Sequence, residues 1–216
     1  MKTDRHEFLR FANRHSALTF GQFTLKSGRI SPYFFNIGVL NSGRLLATLG
    51  QHYADTLLAA GVEFDLLFGA AYKGIPLVSA TAIALSEKHN KDVPWSFNRK
   101  EVKDHGEGGL IVGAPIEGRV VVIDDVITAG TAMRQCMELI GQQGGQVVAL
   151  VVALDRQERG QNELSAIQEM EDDYGIRVIP PANFAQLIEF ACADRALSEY
   201  SAALRAYQAR YGVVGG

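Results

Sequence analysis

The feature that most constrains this chain is a repeated alternation between short, unbroken apolar segments and helix-like segments. Residues 65–69 precede a helix-like pattern at 75–87, and residues 120–123 precede another at 131–142, which ends before a third apolar run at 146–154. Apolar residues that do not alternate with polar ones are typical of strands covered on both faces, as in parallel sheets. We therefore predict an α/β fold with a doubly wound, mostly parallel sheet and right-handed crossovers.

The flanking segments have a different character. Residues 4–16 and 43–60 have helical patterns, and residues 183–211 predict one or two C-terminal helices. Residues 20–36 combine aromatic, polar and turn-forming residues without helical periodicity, which predicts short antiparallel strands. Residues 99–109 are both charged and glycine-rich, and we expect them to form a loop between two strands.

Composition excludes several classes of protein. The 216 residues include 21 Lys and Arg against 24 Asp and Glu, so a nucleic-acid partner is not expected. The longest apolar run, 147–154, is less than half as long as the ~20 residues of a membrane span. The charged N-terminal residues 1–7 are unlike a signal peptide, and we interpret Cys136 and Cys192 as small core residues in a reducing compartment. These features predict a cytoplasmic protein with one domain and no membrane partner.

The segment after the second apolar run carries the most specific chemistry. Asp124 and Asp125 follow the strand, and a small-residue turn with Thr128 and Thr131 leads into the next helix. Backbone N–H groups at a helix start, together with hydroxyls, suit a phosphate monoester. Two adjacent carboxylates suit vicinal ribose hydroxyls or, less directly, Mg²⁺. A helix N-cap would explain one acid but not two, so the segment favours a phosphorylated ribose.

A second strand-end segment, 69–74, contains Gly69, Lys73 and Gly74. Its small residues would let a ligand approach the backbone, although a plain turn between strand and helix explains the segment as well. The glycine spacing is that of a phosphate-binding P-loop, but Ile75 and Pro76 stand where Lys and Ser or Thr are required. A P-loop nucleoside triphosphatase is therefore not supported.

The charged segment 99–109 also has two interpretations. Its three basic residues and three acids cancel, which is typical of a solvated loop. Alternatively, its glycines would let a mobile loop carry Arg99, Lys100, Lys103 and His105 over a polyanion and exclude water.

Residues 124–131 match the phosphoribosyl diphosphate-binding motif of the type I phosphoribosyltransferases. The chain as a whole resembles the bacterial orotate phosphoribosyltransferase family, through 124–131 and further segments at 23–28, 31–36, 71–76, 97–100, 103–108 and 154–160. The resemblance extends from about Leu18 to Tyr174. One departure is Ala70, where many relatives are expected to carry Pro, and it removes no chemistry.

The resemblance implies the type I phosphoribosyltransferase fold over a single domain, 1–216. A small N-terminal α/β hood would comprise about 1–40 plus C-terminal elements, and residues 99–109 would be its mobile loop. The implied reaction transfers phosphoribosyl from 5-phospho-α-D-ribose 1-diphosphate to orotate, with Mg²⁺, in pyrimidine biosynthesis. It further implies a cytoplasmic homodimer with shared active sites.

The resemblance also implies site residues. Those for phosphoribosyl diphosphate are Lys26, Tyr72, Lys73, Arg99, Lys100, Lys103, His105, Asp124, Asp125, Val126, Ile127, Thr128, Ala129, Gly130, Thr131 and Ala132. Those for orotate are Lys26, Phe34, Phe35, Thr128 and Arg156. The catalytic residues would be Lys103, Lys26, Arg99, His105 and Asp125, and no direct metal ligand is expected, because Mg²⁺ would be held mainly by the diphosphate and water.

Three alternatives are weaker. A phosphoribosyltransferase for uracil or a purine would leave Arg156 and Lys26 without an evident purpose. A nucleic-acid-binding regulator should have a basic face and could lose the loop cations, whereas Lys100, Lys103 and His105 are present. A dinucleotide-dependent oxidoreductase should show G-x-G-x-x-G after a strand, and no strand here has it.

Overall fold

The computed structural model describes residues 6–103, 109–127, 131–160 and 162–213. Its helices are α1 (Glu7–Arg14), α2 (Gly43–Ala59), α3 (Gly74–His89), α4 (Thr131–Gln142), α5 (Ala166–Tyr174), α6 (Phe184–Ala193) and α7 (Ser201–Tyr211). Its strands are β1 (Leu18–Thr24), β2 (Ile30–Phe35), β3 (Leu66–Gly69), β4 (Trp95–Lys103), β5 (Gly109–Gly113), β6 (Gly118–Ile123), β7 (Gly145–Val151), β8 (Leu154–Asp155), β9 (Arg177–Ile179) and β10 (Ala182–Asn183). None of the helices in these ranges is long and apolar enough to cross a membrane.

The central sheet has the strand order β5-β4-β3-β6-β7-β9. All neighbours are parallel except β5, which runs antiparallel to β4. The chain passes from β3 to β4 on one side and from β6 to β7 on the other, so the order reverses between β3 and β6. The prediction of a doubly wound, mostly parallel sheet is confirmed. In such sheets ligands bind at this reversal, outside the carboxyl ends of the strands.

Both faces of the sheet are covered, as the unbroken apolar strands predict. All four residues of β3 are buried, and successive side chains contribute to different clusters. Leu67 belongs to the cluster that includes residues of α2, α3, α6 and α7. Leu66 and Phe68 belong to the cluster formed with α4 and α5, where Cys136 is buried. Cys192 is exposed, so its interpretation as a core residue is wrong.

The predicted antiparallel strands near the N-terminus are confirmed. β1 and β2 form a two-stranded hairpin that lies against the C-terminal helices. Tyr33 of β2 is almost fully buried, and its ring stacks on Phe184 of α6 at a centroid distance of 5.0 Å. Burial of these aromatic rings joins the two ends of the chain. The boundaries of a hood subdomain stay a prediction.

The structure corrects the predicted loop at 99–109. Arg99 to Lys103 complete β4, and Gly109 begins β5, with Lys103 opposite Gly109 in the antiparallel pair. The pairing is irregular between Asn98 and Lys103, and the segment extends beyond the last β3–β4 pair at Phe97, which leaves room for its charges. Residues 104–108, including His105, lie outside the described residues, and their mobility stays a prediction.

Close packing of α2 on α3 depends on a glycine. A Cβ atom at Gly50 would lie 2.5 Å from the carbonyl oxygen of Ala80, whereas one at Gly141 in α4 would meet no atom within 4 Å. Gly50→Ala should therefore lower the free energy of unfolding by about 1–3 kcal/mol, because the helices must separate. Gly141→Ala, the matched control, should raise it by about 0.5–1 kcal/mol through helix propensity. Urea denaturation measures both, and equal effects would contradict this packing.

Candidate active site

Two loops meet at the reversal point of the sheet, one after β3 and one after β6. Gly69 is directly opposite Ile123 in the parallel pair, so both loops leave the same edge. A Cβ at Gly69 would lie 2.5 Å from the carbonyl oxygen of Gly74, and one at Gly74 would lie 2.6 Å from that of Ile123. The two glycines are therefore required by close backbone packing at the start of α3, which is a different reason from the ligand approach that the sequence suggests.

The loop after β3 is fixed by a residue of the neighbouring strand. The Oδ1 atom of Asn98 in β4 accepts a hydrogen bond of 2.9 Å from the backbone N–H of Ala71. Phe97 is opposite Gly69 in the β3–β4 pair, so Asn98 extends one residue beyond the end of β3. Asn98 lies in the segment 97–100 noted above, but its supporting role is not visible in the sequence, because its partner Ala71 belongs to the loop after another strand.

Asp124 and Asp125 follow β6 at the same edge. The backbone N–H of Asp125 donates to Oδ1 of Asp124 at 2.9 Å, and the backbone N–H of Ala153 donates to the carbonyl of Asp125 at 2.7 Å. The hydroxyl of Tyr53, from α2, donates to the carbonyl of Asp124 at 2.9 Å. Lys73 forms an ion pair with the Oδ2 atom of Asp125. The two acids are thus held by three separate segments, and Tyr53 is a supporting residue that the sequence did not identify.

The site perturbs the titration of Asp124. Burial raises the pKa of this carboxyl to about 6, and the charge of Asp125 acts in the same direction. The backbone N–H of Asp125 and the ammonium of Lys73 oppose the shift. At neutral pH the site therefore contains a poorly solvated carboxylate, which hydroxyl donors of a ligand would stabilise.

Cationic and aromatic side chains gather beside the loop after β3. Tyr72 is 66% exposed, and the Nζ atom of Lys100 lies 4.5 Å from the centre of its ring. The Nη1 atom of Arg99 donates to the carbonyl of Gly109 at 3.2 Å, across the β4–β5 pair. Together with Lys73 these residues place positive charge at the carboxyl edge of β3 and β4, as a diphosphate site requires.

Several predicted site residues cannot be placed in full. Thr128, Ala129, Gly130 and His105 lie outside the described residues. Only the backbone of Lys103, at the end of β4, and of Thr131 and Ala132, at the start of α4, is described. Their roles stay predictions.

The residues predicted for a base lie near the β1–β2 hairpin. Arg156 follows β8, and its guanidinium lies 5.6 Å above the ring of Tyr33 and donates to Glu158. Phe34 is 42% exposed and stacks on Phe23. Its neighbour Phe35 packs against the main core cluster, so alternation along β2 directs the two rings to opposite faces. Lys26 is exposed in the turn between β1 and β2.

Comparisons with known proteins place this geometry in a family. A family model described as phosphoribosyl transferase domain matches residues 39–177. The orotate phosphoribosyltransferases of Pseudomonas paraeruginosa and Thioalkalivibrio sulfidiphilus are 54% and 57% identical to this chain, over 99% of it and 100% of their own length. The chain belongs to the orotate phosphoribosyltransferase family.

A solved structure of an orotate phosphoribosyltransferase, from Francisella tularensis, superposes with a TM-score of 0.85 at 40% identity. The superposition covers 95% of this chain and 98% of that one. The phosphoribosyl transferase domain match includes both strand-end loops and Arg156, but it begins after Lys26, Phe34 and Phe35. The hairpin therefore lies before the matched domain but within the full-length alignments to the orotate phosphoribosyltransferases.

Because the pKa of Asp124 is raised, removing its charge should increase the free energy of unfolding by an amount that depends on pH. The free energy of unfolding falls as the pH rises from the ordinary pKa of 3.8 to the folded pKa of about 6, and above 6 the full cost of ionising the buried carboxyl is present. Asp124→Asn should thus raise the free energy of unfolding by about 2–3 kcal/mol more at pH 7.5 than at pH 4. Asparagine keeps an oxygen for the Asp125 N–H. Denaturant unfolding without substrates, at both pH values, measures the difference, and an equal effect at both would contradict the assignment.

Proposed function

We propose that this chain transfers the phosphoribosyl group of 5-phospho-α-D-ribose 1-diphosphate to orotate, giving orotidine 5′-phosphate and pyrophosphate in pyrimidine biosynthesis. The observation that carries the proposal is the pairing of Asp125 with Lys73 at the reversal of the sheet, in a chain that matches orotate phosphoribosyltransferases over 99% of its length. This arrangement puts acceptors for a diol beside a cation for a diphosphate.

The ribose phosphate would bind at the loop after β6. Asp124 and Asp125 would accept hydrogen bonds from the 2′- and 3′-hydroxyls of the ribose. Residues 126–132 would surround the 5′-phosphate, whose charge is favoured by the N-terminus of α4. The raised pKa of Asp124 supports this role, because ribose hydroxyls would supply donors to a carboxylate that burial deprives of water.

The diphosphate would bind along the carboxyl edge of β3 and β4. Tyr72, Lys73, Arg99 and Lys100 supply the described part of its site, and the end of β4 would add Lys103 and His105. As the bond from ribose C1 to the diphosphate breaks, positive charge develops on the sugar and negative charge on the leaving group. The cations would stabilise that departing charge, so we assign catalytic roles to Arg99, Lys103, His105 and Lys26, and to Asp125 beside the sugar.

The donor set at this edge fits a Mg²⁺ ion that is carried mainly by the substrate. Mg²⁺ needs about six oxygen ligands, whereas the site offers the adjacent carboxylates of Asp124 and Asp125, one of them paired with Lys73. Over the described residues, no group of three or more His, Cys, Asp or Glu side chains could hold a metal. When bound, Mg²⁺ would neutralise charge on the diphosphate, and the two aspartates would face it through water.

The orotate ring would lie near the hairpin. Arg156 would bind its carboxylate, since a guanidinium matches a carboxylate with two parallel hydrogen bonds. The exposed ring of Phe34 offers a stacking surface, with Lys26 and Thr128 completing the site. Phe35 would contribute through its backbone, because its ring packs against the core on the opposite face of β2. The side chain of Arg156 is only 24% exposed, and its partner Glu158 also pairs with Arg29, so this mostly buried pair of cations favours a further anion, as on orotate, over uracil or a purine.

We further propose that the enzyme acts as a homodimer with shared active sites in the cytoplasm. A groove of about 220 Å³ between α2 and α3 supports self-association, because most of its lining is apolar, with Gln51, Ser79 and Glu87 as the polar residues among it. Ile83 in this groove is 57% exposed. Exposed apolar surface of this kind is typical of protein contacts.

The proposed reaction is tested by following the ultraviolet absorbance of orotate with purified protein, phosphoribosyl diphosphate and Mg²⁺. We expect rapid loss of orotate and none of uracil or hypoxanthine in parallel assays. Turnover of another base in preference to orotate would overturn the substrate assignment. Binding of phosphoribosyl diphosphate without turnover of any base would instead support the ligand-sensing alternative.

The assigned role of Arg156 predicts a selective loss. Arg156→Ala should raise the KM for orotate by roughly 10–10²-fold, because a charge-assisted pair of hydrogen bonds is lost, and should leave the KM for phosphoribosyl diphosphate within about threefold. Arg119→Ala is the control, because Arg119 pairs with Asp65 at the opposite, amino end of β6. Steady-state kinetics measure both constants, and equal increases in them would refute the assignment.

A further inference from the structure

The carboxylate of Glu158 contacts its near neighbour Arg156 and two residues of the β1–β2 hairpin, which lie 125 and 129 positions away in the sequence. Its Oε1 atom accepts hydrogen bonds from Nε and Nη2 of Arg156, at 3.0 and 2.7 Å, and from the hydroxyl of Tyr33 at 3.4 Å. Its Oε2 atom accepts a bond of 3.5 Å from Nη1 of Arg29, in the β1–β2 turn. The Glu158 side chain is only 12% exposed. Both oxygens of this carboxylate are therefore committed within the protein.

The backbone around Glu158 is held independently of Arg156. The N–H of Arg159 donates to the carbonyl of Tyr211 at 2.8 Å, and the N–H of Val213 donates to the carbonyl of Gln157 at 3.0 Å. Arg29 donates to the carbonyl of Arg159 at 2.9 Å, and its guanidinium lies 4.9 Å from the centre of the Tyr211 ring. The end of α7 and the hairpin thus fix the segment, so Glu158 determines where Arg156 lies, rather than the reverse.

The charges and donors of this cluster leave capacity for one more anion. Arg29 and Arg156 carry two positive charges and Glu158 carries one negative charge, which leaves a net charge of +1. Glu158 uses the Nε edge of the Arg156 guanidinium. The hydrogens at the far end, one on each Nη atom, keep the fork geometry that matches a second carboxylate.

We propose that Glu158 is a positioning residue that holds the Arg156 guanidinium by its Nε edge and presents its far end to the carboxylate of the substrate base. The proposal rests on the proposed function, in which that base is orotate. It also gives the C-terminal helix a role in the reaction, since the last turn of α7 anchors the segment that carries Glu158.

Glu158→Gln tests this role, since it removes the charge and keeps the shape. We expect the KM for orotate to rise about tenfold, the difference between a charge-assisted and a neutral pair of hydrogen bonds, with the KM for phosphoribosyl diphosphate unchanged within twofold. Glu163→Gln is the matched control, because Glu163 is 87% exposed and pairs only across the surface with Arg159 at 3.4 Å. It should leave both constants unchanged.

A purely structural role would lower the melting temperature and the active fraction without separating the two KM values. Glu158→Asp provides a second variant if Glu158→Gln does not fold, because it keeps the charge but is too short to contact both arginines. It should give a smaller, equally selective increase in the KM for orotate. An unchanged or lower KM for orotate, or parallel increases for both substrates, would overturn the proposal.

The parent protein and Arg156→Ala separate this proposal from the proposed function. Absence of orotate turnover by the parent would overturn both. An active parent in which Arg156→Ala leaves the KM for orotate unchanged would remove Arg156 from the base site, and Glu158 with it. If Arg156→Ala selectively raises the KM for orotate but Glu158→Gln does not, the positioning role of Glu158 is overturned and the proposed function stands.

Discussion

Backbone contact between the start of α3 and the ends of two central strands determines the position of the rest of the site. Gly69 and Gly74 let the first turn of α3 approach β3 and β6 to a distance that no Cβ atom would permit. This contact brings the loop that carries Lys73 against the loop that carries Asp125. The ion pair between Lys73 and Asp125 therefore depends on packing, because the two side chains meet only when the backbone segments that carry them lie this close together.

The sequence predicts best what depends on local pattern. Unbroken apolar runs identify β3 and β6, and the helix predicted at 131–142 matches α4. Prediction from the sequence fails where a partner that is distant in the chain determines the local secondary structure. The strand predicted at 146–154 is divided into β7 and β8, because the N–H of Ala153 turns to the carbonyl of Asp125. The charged segment at 99–103 continues β4 as far as Lys103, which pairs with Gly109 of β5.

The same distinction applies to the site. Asp124, Asp125 and Lys73 stand in recognisable local motifs, and the structure brings them together. The residues that support them, Asn98 and Tyr53, cannot be recognised as supports from local motifs. Each reaches the site from a separate element through one hydrogen bond. A single sequence contains no signal for such a bond. Only the register of β4 beside β3 and the packing of α2 reveal it.

The ion pair between Lys73 and Asp125 joins residues that are 52 positions apart. In the proposed site one partner belongs to the diphosphate side and the other to the sugar side, so this contact couples the two halves electrostatically. A substitution in either loop changes the field acting on the other, and the energetic effects of changes at the two positions are not additive. The two loops therefore act as one electrostatic unit, although they are far apart in the sequence.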